Sequence, residues 1–175
     1  MSAERRPIVA SAHLVSEQAA ELSEFEFGLI IAANAFSRWI VRCMAAAGYA
    51  DLGFLDVLVL HSVNHRDRPK KLADICFVLN VEDTHTVTYA LKKLVRAGLL
   101  AGTKSGKEIH YTTTEAGREA CRRYRAVRED CLITAFGAVA ETAASDPLQD
   151  VGKAAGLLRA LSGLYDQAAR AAASL

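Results

Sequence analysis

THTVTYALKKLVRAGLLAGTKSGKEIHY, running from Thr84 to Tyr111, is the stretch that decides how this chain folds. Val87, Ala90, Leu91, Leu94 and Val95 recur at the spacing of one apolar helix face. Thr84, His85, Thr88, Tyr89, Lys92, Lys93 and Arg96 fall on the other side of the same helix. Asp83 is placed to cap its start and Gly98 to stop it. Leu99 to Lys104 and Glu108 to Thr113 then read as two short antiparallel strands, with Ser105-Gly106 as the turn. Ile109 and Tyr111 alternate with polar neighbours, the period of a half-buried strand. One side of the helix is thus pinned to a core. The other side, and a hairpin tip carrying Lys104 and Lys107, offer hydrogen-bonding and cationic groups to something anionic.

Upstream, residues 1–16 form an arm without periodicity, and a long helix is expected from Glu17 to about Tyr49, ended by Gly48. Phe25, Leu29, Ile30, Ala33, Phe36, Ile40 and Met44 make one apolar face of it. Phe27, Ile31, Trp39 and Val41 lie on other faces, so it needs cover on more than one side, and a partner subunit is a reasonable source. The aromatic group Phe25, Phe36, Trp39 and Phe54 reads as core. A second helix covers Leu52 to Arg66, and Arg66-Asp67-Arg68-Pro69 is a turn, with Pro69 setting the start of the short helix KKLADICFVLN. Downstream, Thr114 caps a long helix from Glu115 to about Thr142, and Asp146-Pro147 opens a final one to about Ala172. The expected fold is mainly α with a small β-hairpin, in the order α-α-α-α-β-β-α-α.

The formal net charge is only +1, but its distribution is uneven. His61 to Arg128 holds 14 Lys/Arg against 7 Asp/Glu, a surplus of +7, and the rest of the chain runs to −6. That asymmetry favours a polyanion-binding middle carried by ends with another job. The chain is 51% hydrophobic and 23% charged, a globular rather than a disordered composition. No apolar run reaches the roughly 18 residues of a membrane helix. Ser11, His13 and Ser16 break the mildly apolar N-terminal stretch, which argues against a signal peptide and for the cytoplasm. Cys43, Cys76, Cys121 and Cys131 form no C-x-x-C pair and are expected as free thiols. Cys121, beside Arg122 and Arg123, is the best placed for redox sensing.

Catalytic signatures do not stand out: there is no Gly-x-Ser-x-Gly elbow, phosphate-binding glycine loop or paired acidic motif, and the expectation is a binding protein, not an enzyme, without a cofactor. His61 and His65 lie four apart, as metal ligands can, but two ligands do not define a zinc site, and no metal is expected. The run Arg118, Arg122, Arg123, Arg125, Arg128 is a solvated helix face or an extra positive field.

Leu72-Ala73-Asp74-Ile75, the turn to Val81, Thr86-Val87-Thr88, Leu91-x-x-Leu94, Ala97-Gly98-Leu99-Leu100 and Thr114-Glu115-Ala116-Gly117 resemble the MarR family of bacterial transcription regulators. The resemblance covers about Leu52 to Arg118. It implies a winged helix-turn-helix core (51–113) flanked by N-terminal (17–50) and C-terminal (114–175) dimerisation helices. It further implies a homodimeric regulator acting as a repressor, bound to double-stranded DNA at a pseudo-palindromic operator. Related regulators hold small aromatic or anionic effectors between the dimer helices and the winged domain, so the resemblance extends to a small-molecule effector as a partner.

Two departures stand out. The recognition helix starts His85-Thr86-Val87-Thr88-Tyr89 where members often have Ser-Thr-Val-Thr-Arg. The wing reads Lys104-Ser105-Gly106-Lys107-Glu108 where an Asp-x-Arg pair is usual. On this reading Thr84, His85, Thr86, Thr88 and Tyr89 face base edges. Thr86 is equally suited to bonding its own backbone. Arg66, Arg68, Lys70, Lys71, Lys92, Lys93 and Arg96 hold phosphates, and Lys104, Ser105, Gly106 and Lys107 form the wing tip. The alternative, motivated by the missing wing arginine, is a winged-helix protein–protein module that has lost DNA binding.

Overall fold

A computed structural model describes residues 19–140 and 146–175. The expected arm (1–16), the first two residues of the expected first helix and residues 141–142 lie outside the described residues. The chain divides into two compact units, one up to Val127 and one from Arg128 onward.

The first unit opens with α1 (Ala20–Ala46). Gly48, at φ +100°, ends it. The Gly48 and Tyr49 N–H groups donate back to Ala45 O and Met44 O at 3.0 and 3.1 Å, a Schellman-type stop. By length and composition α1 is apolar enough to cross a bilayer, against the expectation from the sequence. Its last turns instead bury Ile40, Cys43 and Met44 in the core of this unit. Phe36, expected in the core, is 55% exposed, as are Ile30 and Ile31 to a similar degree.

Helix α2 (Phe54–Asn64) starts two residues later than expected, because the Asp56 carboxylate folds back to accept the Gly53 N–H at 2.8 Å. Val57, Val59, Leu60 and Val63 are buried completely or nearly so. A short 3-10 turn (His65–Asp67) follows, with Arg66 in the left-handed region at φ 64°. Pro69 does not start the next helix. Lys70 pairs with Tyr111 by two backbone hydrogen bonds of 2.9 Å, so the chain stays extended until α3 (Leu72–Leu79). Asn80, left-handed at φ 51°, turns the chain toward α4 (Thr84–Arg96).

Within α4, Val87, Ala90, Leu91 and Leu94 are sealed in the core, each large side chain contributing roughly 1.5–3 kcal/mol by its burial. Val95, assigned to this face from sequence, is 38% exposed. The Gly98 and Leu99 N–H groups reach Val95 O and Leu94 O at 3.0 Å, and Gly98 adopts φ +71°. Strands β1 (Leu100–Ser105) and β2 (Glu108–Thr113) pair antiparallel, Leu100 with Thr113 through Ser105 with Glu108. The loop is therefore Gly106-Lys107, one residue beyond the expected turn. Gly106 supplies the positive φ (62°) that its first position requires.

Helix α5 (Glu115–Arg128) returns the chain to the core. Thr114 Oγ1 shares its one proton between the carbonyls of Gly98 (2.7 Å) and Leu99 (3.0 Å) and accepts the Gly117 N–H at 3.1 Å. Ala120 and Cys121 are buried with the winged region, so the compact unit continues past Thr113.

The expected single helix from Glu115 to Thr142 is interrupted. A π-helical turn (Glu129–Ile133) intervenes before α6 (Thr134–Ala140). Both the Thr134 N–H and its hydroxyl donate to Glu129 O, which holds that wider turn in place. Helix α7 (Pro147–Ala172) begins as expected, with Asp146 Oδ1 accepting the Leu148 and Gln149 N–H groups. None of its residues is buried; Leu148, Val151 and Leu164 are more than half exposed.

Candidate nucleic-acid interface

The outward side of α4 follows from its inward side. With Val87, Ala90, Leu91 and Leu94 fixed in the core, a step of 100° per residue places His85, Tyr89, Lys92 and Arg96 opposite them. All four are exposed, Tyr89 at 65%. Thr84 and Thr86 are exposed as well, and Thr88 is half-buried. Asp83 caps the helix by accepting the His85 N–H on Oδ1 at 2.9 Å. Thr86 Oγ1 donates to Asp83 O and Thr88 Oγ1 to Thr84 O, both at 2.8 Å. Thr86 is thus backbone-bonded, one of the two readings its sequence position allowed. An open groove of about 630 Å³ separates this stripe from the wing, lined by Tyr89, Lys92, Arg96, Ile109 and Tyr111 among others.

The cations expected to hold phosphates split into two groups. Lys70 is turned inward and 5% exposed, so it is corrected out of that set. Its ammonium donates to Val63 O at 3.1 Å and to His65 O, closing the end of α2. Burial, and after it the charges of Arg68 and Arg66, push its pKa down. Lys93 is likewise engaged, 2.6 Å from Asp56 Oδ2 and 2.6 Å from Asp51 O. Lys71 pairs with Glu108 at 2.6 Å, tying the base of α3 to the wing, and that hydrogen bond and charge raise its pKa. No ion pair within the described residues engages Arg66, Arg68, Lys92, Arg96, Lys104 or Lys107, and all six are exposed. Further along, Arg118 pairs with Glu115, and Arg122 and Arg123 pair with Glu119.

His61 and His65 separate. The His61 ring meets Tyr124 edge-on, centroids 4.6 Å apart, with Nε2 buried and unpartnered among the described residues. Burial lowers its pKa. His65 is exposed, and no three His, Cys, Asp or Glu side chains gather among the described residues. Cys121 is buried and its thiol pKa is pushed up to about 11, the opposite of what a sensor thiol needs. The exposed cysteine is Cys131.

Asp56 and Gly117 were not singled out from the sequence. A lone acid within Phe54-Leu-Asp-Val-Leu-Val-Leu60 was the available signal for Asp56. For Gly117 the signal was its place in Thr-Glu-Ala-Gly: a Cβ there would lie 2.1 Å from Leu99 O.

Residues 52–117 match the family model of a winged helix DNA-binding domain. The chain carries a winged helix domain. Among solved structures it is similar to AbfR of Staphylococcus epidermidis, with a TM-score of 0.65 and 18% identity over 86% of this chain and 97% of that one. A MarR-family transcriptional regulator from Rhodococcus sp. RHA1 matches with a TM-score of 0.60 and 14% identity, covering 83% of this chain and 96% of its own. Streptococcus pneumoniae FabT, in complex with DNA, matches with a TM-score of 0.59 and 18% identity over 81% and 94% of the two chains. No curated protein matches the chain by sequence. In winged-helix terms, α3 and α4 are the helix-turn-helix pair and β1–β2 is the wing.

Proposed function

We propose that this protein is a sequence-specific transcription regulator of the MarR type, acting as a homodimeric repressor in the cytoplasm. The observation that carries the reading is the stripe His85–Tyr89–Lys92–Arg96. It is exposed, and its two cations join no ion pair among the described residues, on a helix whose opposite face is sealed in the core. Each subunit lays α4 in a major groove, and the wing tip at Gly106-Lys107 reaches the neighbouring backbone. Lys92, Arg96, Arg66, Arg68, Lys104 and Lys107 supply phosphate contacts. Lys70, Lys71 and Lys93 are left out of this set because the fold already uses them. Pairing with a second copy is supported by the exposed apolar side chains of α1 (Ile30, Ile31, Phe36) and of α7 (Leu148, Val151, Leu164). Two-fold symmetry then predicts a pseudo-palindromic operator with half-sites about 10 base pairs apart. A small-molecule effector is compatible with this reading.

A second reading has an observation of its own. Phe77 and Val78 on α3 are 88% and 66% exposed, an apolar pair suited to a protein partner. A gel-shift titration of the purified chain against its upstream DNA, with salt and bulk competitor varied, separates the two. Salt-sensitive binding that survives competitor supports the regulator. No binding at low salt, with or without reductant, favours the protein-partner module.

A further inference from the structure

Resting on the reading of α4 as a groove-entering helix, the groups on its first two turns narrow the DNA it can choose. From Thr84 to Leu91 the residues are Thr-His-Thr-Val-Thr-Tyr-Ala-Leu. Arg, Lys, Asn and Gln, which grip guanine or adenine through two parallel hydrogen bonds, are missing from these turns. The nearest carboxylate, Asp83, is occupied as the N-cap. A threonine hydroxyl has one proton to give. Thr86 gives its proton to Asp83 O and Thr88 gives its own to Thr84 O, each at 2.8 Å. Neither can then donate to the N7 or O6 of a purine, whereas each keeps its γ-methyl. At 100° per residue, Thr86 and Thr88 flank His85 and Tyr89 on either side. Tyr89, 65% exposed, adds an aromatic ring between them. The surface offered is methyl and aromatic, with two single-point polar groups, the His85 imidazole and the Tyr89 hydroxyl. The apolar feature that a major-groove base edge presents is the thymine 5-methyl group.

We infer that α4 chooses its half-site by packing Thr86, Thr88 and Tyr89 against thymine 5-methyl groups. A·T pairs therefore occupy the positions under its first two turns.

Random-site selection with the full chain defines the half-site. Each thymine in it is then replaced by deoxyuridine, which removes the methyl and keeps the base pair. The expected loss is about fourfold per contacted thymine, the factor that burial of one methyl-sized group brings. Affinity for bulk DNA at low salt should not change. Thr88→Ser keeps the hydroxyl bond and drops the methyl. It should lose a similar factor on the thymine site and become indifferent to deoxyuridine there. Silent deoxyuridine replacements throughout an otherwise specific site overturn the inference and leave DNA binding standing. So do G·C pairs under the first two turns, or low-salt binding without any selected preference. Failure to bind bulk DNA at low salt is a different result: it removes the DNA-binding reading, and this inference with it.

Discussion

The outer face of α4 and the flank it turns toward α2 use the same kind of residue in opposite ways. Lys92 is exposed and belongs to the stripe with His85, Tyr89 and Arg96. Lys93, one position on, is held by the Asp56 carboxylate and the Asp51 carbonyl, both at 2.6 Å. The loop after α2 repeats the pattern. Arg66 and Arg68 are exposed, and Lys70 is buried against two carbonyls. A positive residue in this domain is left exposed to solvent or used as a structural pin, depending on whether a neighbouring element presents an acceptor to it. The surplus of +7 along the sequence therefore overstates the positive charge left unpaired on the surface.

The largest expected effect comes from breaking the pin. Asp56→Ala removes the acceptor of both the Gly53 N–H and the Lys93 ammonium, at a site where the carboxylate is 10% exposed. Chemical denaturation should show a loss of about 3 kcal/mol, near the low end for a buried pair because Lys93 keeps contact with water. A loss below about 0.5 kcal/mol would place the pair among ordinary surface ion pairs. Next comes the joint between wing and helix. Gly117→Ala drives a Cβ onto the Leu99 carbonyl and should cost roughly 1–3 kcal/mol. An unchanged thermal midpoint would mean that α5 is not seated against the wing as described.

A smaller effect is set by pH. Burial lowers the His61 imidazole below its usual 6.5, so the unfolded chain takes up a proton before the folded one does. Stability should then fall as the pH drops below 6.5 and level off once the folded pKa is passed, with a slope of at most about 1.4 kcal/mol per pH unit. His61→Leu should lack that component. Parallel curves for the two proteins would show that His61 titrates alike folded and unfolded.

Much of this was legible in the sequence, and the part that was not has a common cause. The bounds of α4, its Asp83 cap, the Gly98 stop and the hairpin are local features, written in residues within a few positions of one another. The fates of Lys70 and Lys93 depend on acceptors placed by folding: Asp56 lies 37 positions from Lys93. Likewise α3 starts at Leu72 because Lys70 pairs with Tyr111, a pairing that no local pattern around Pro69 encodes. The π turn after α5 hinges on Thr134 reaching Glu129 O twice, and periodicity alone runs straight through it. The exposure of Phe36 contradicts its assignment to the core because hydrophobicity says that a side chain favours cover, not which surface gives it.

The proposed division between cations that meet DNA and cations that hold the fold is open to direct measurement. The salt dependence of DNA binding is determined for the wild type, Lys92→Ala and Lys93→Ala, beside their thermal stabilities. Removing one phosphate-binding cation should flatten the slope of log K against log salt by about 0.9, so Lys92→Ala should lower it by about 1.8 per dimer. The melting point of that variant should stay unchanged. Lys93→Ala should keep the wild-type slope and melt lower. An equal flattening in both variants, or an unaltered slope in Lys92→Ala, would contradict the division.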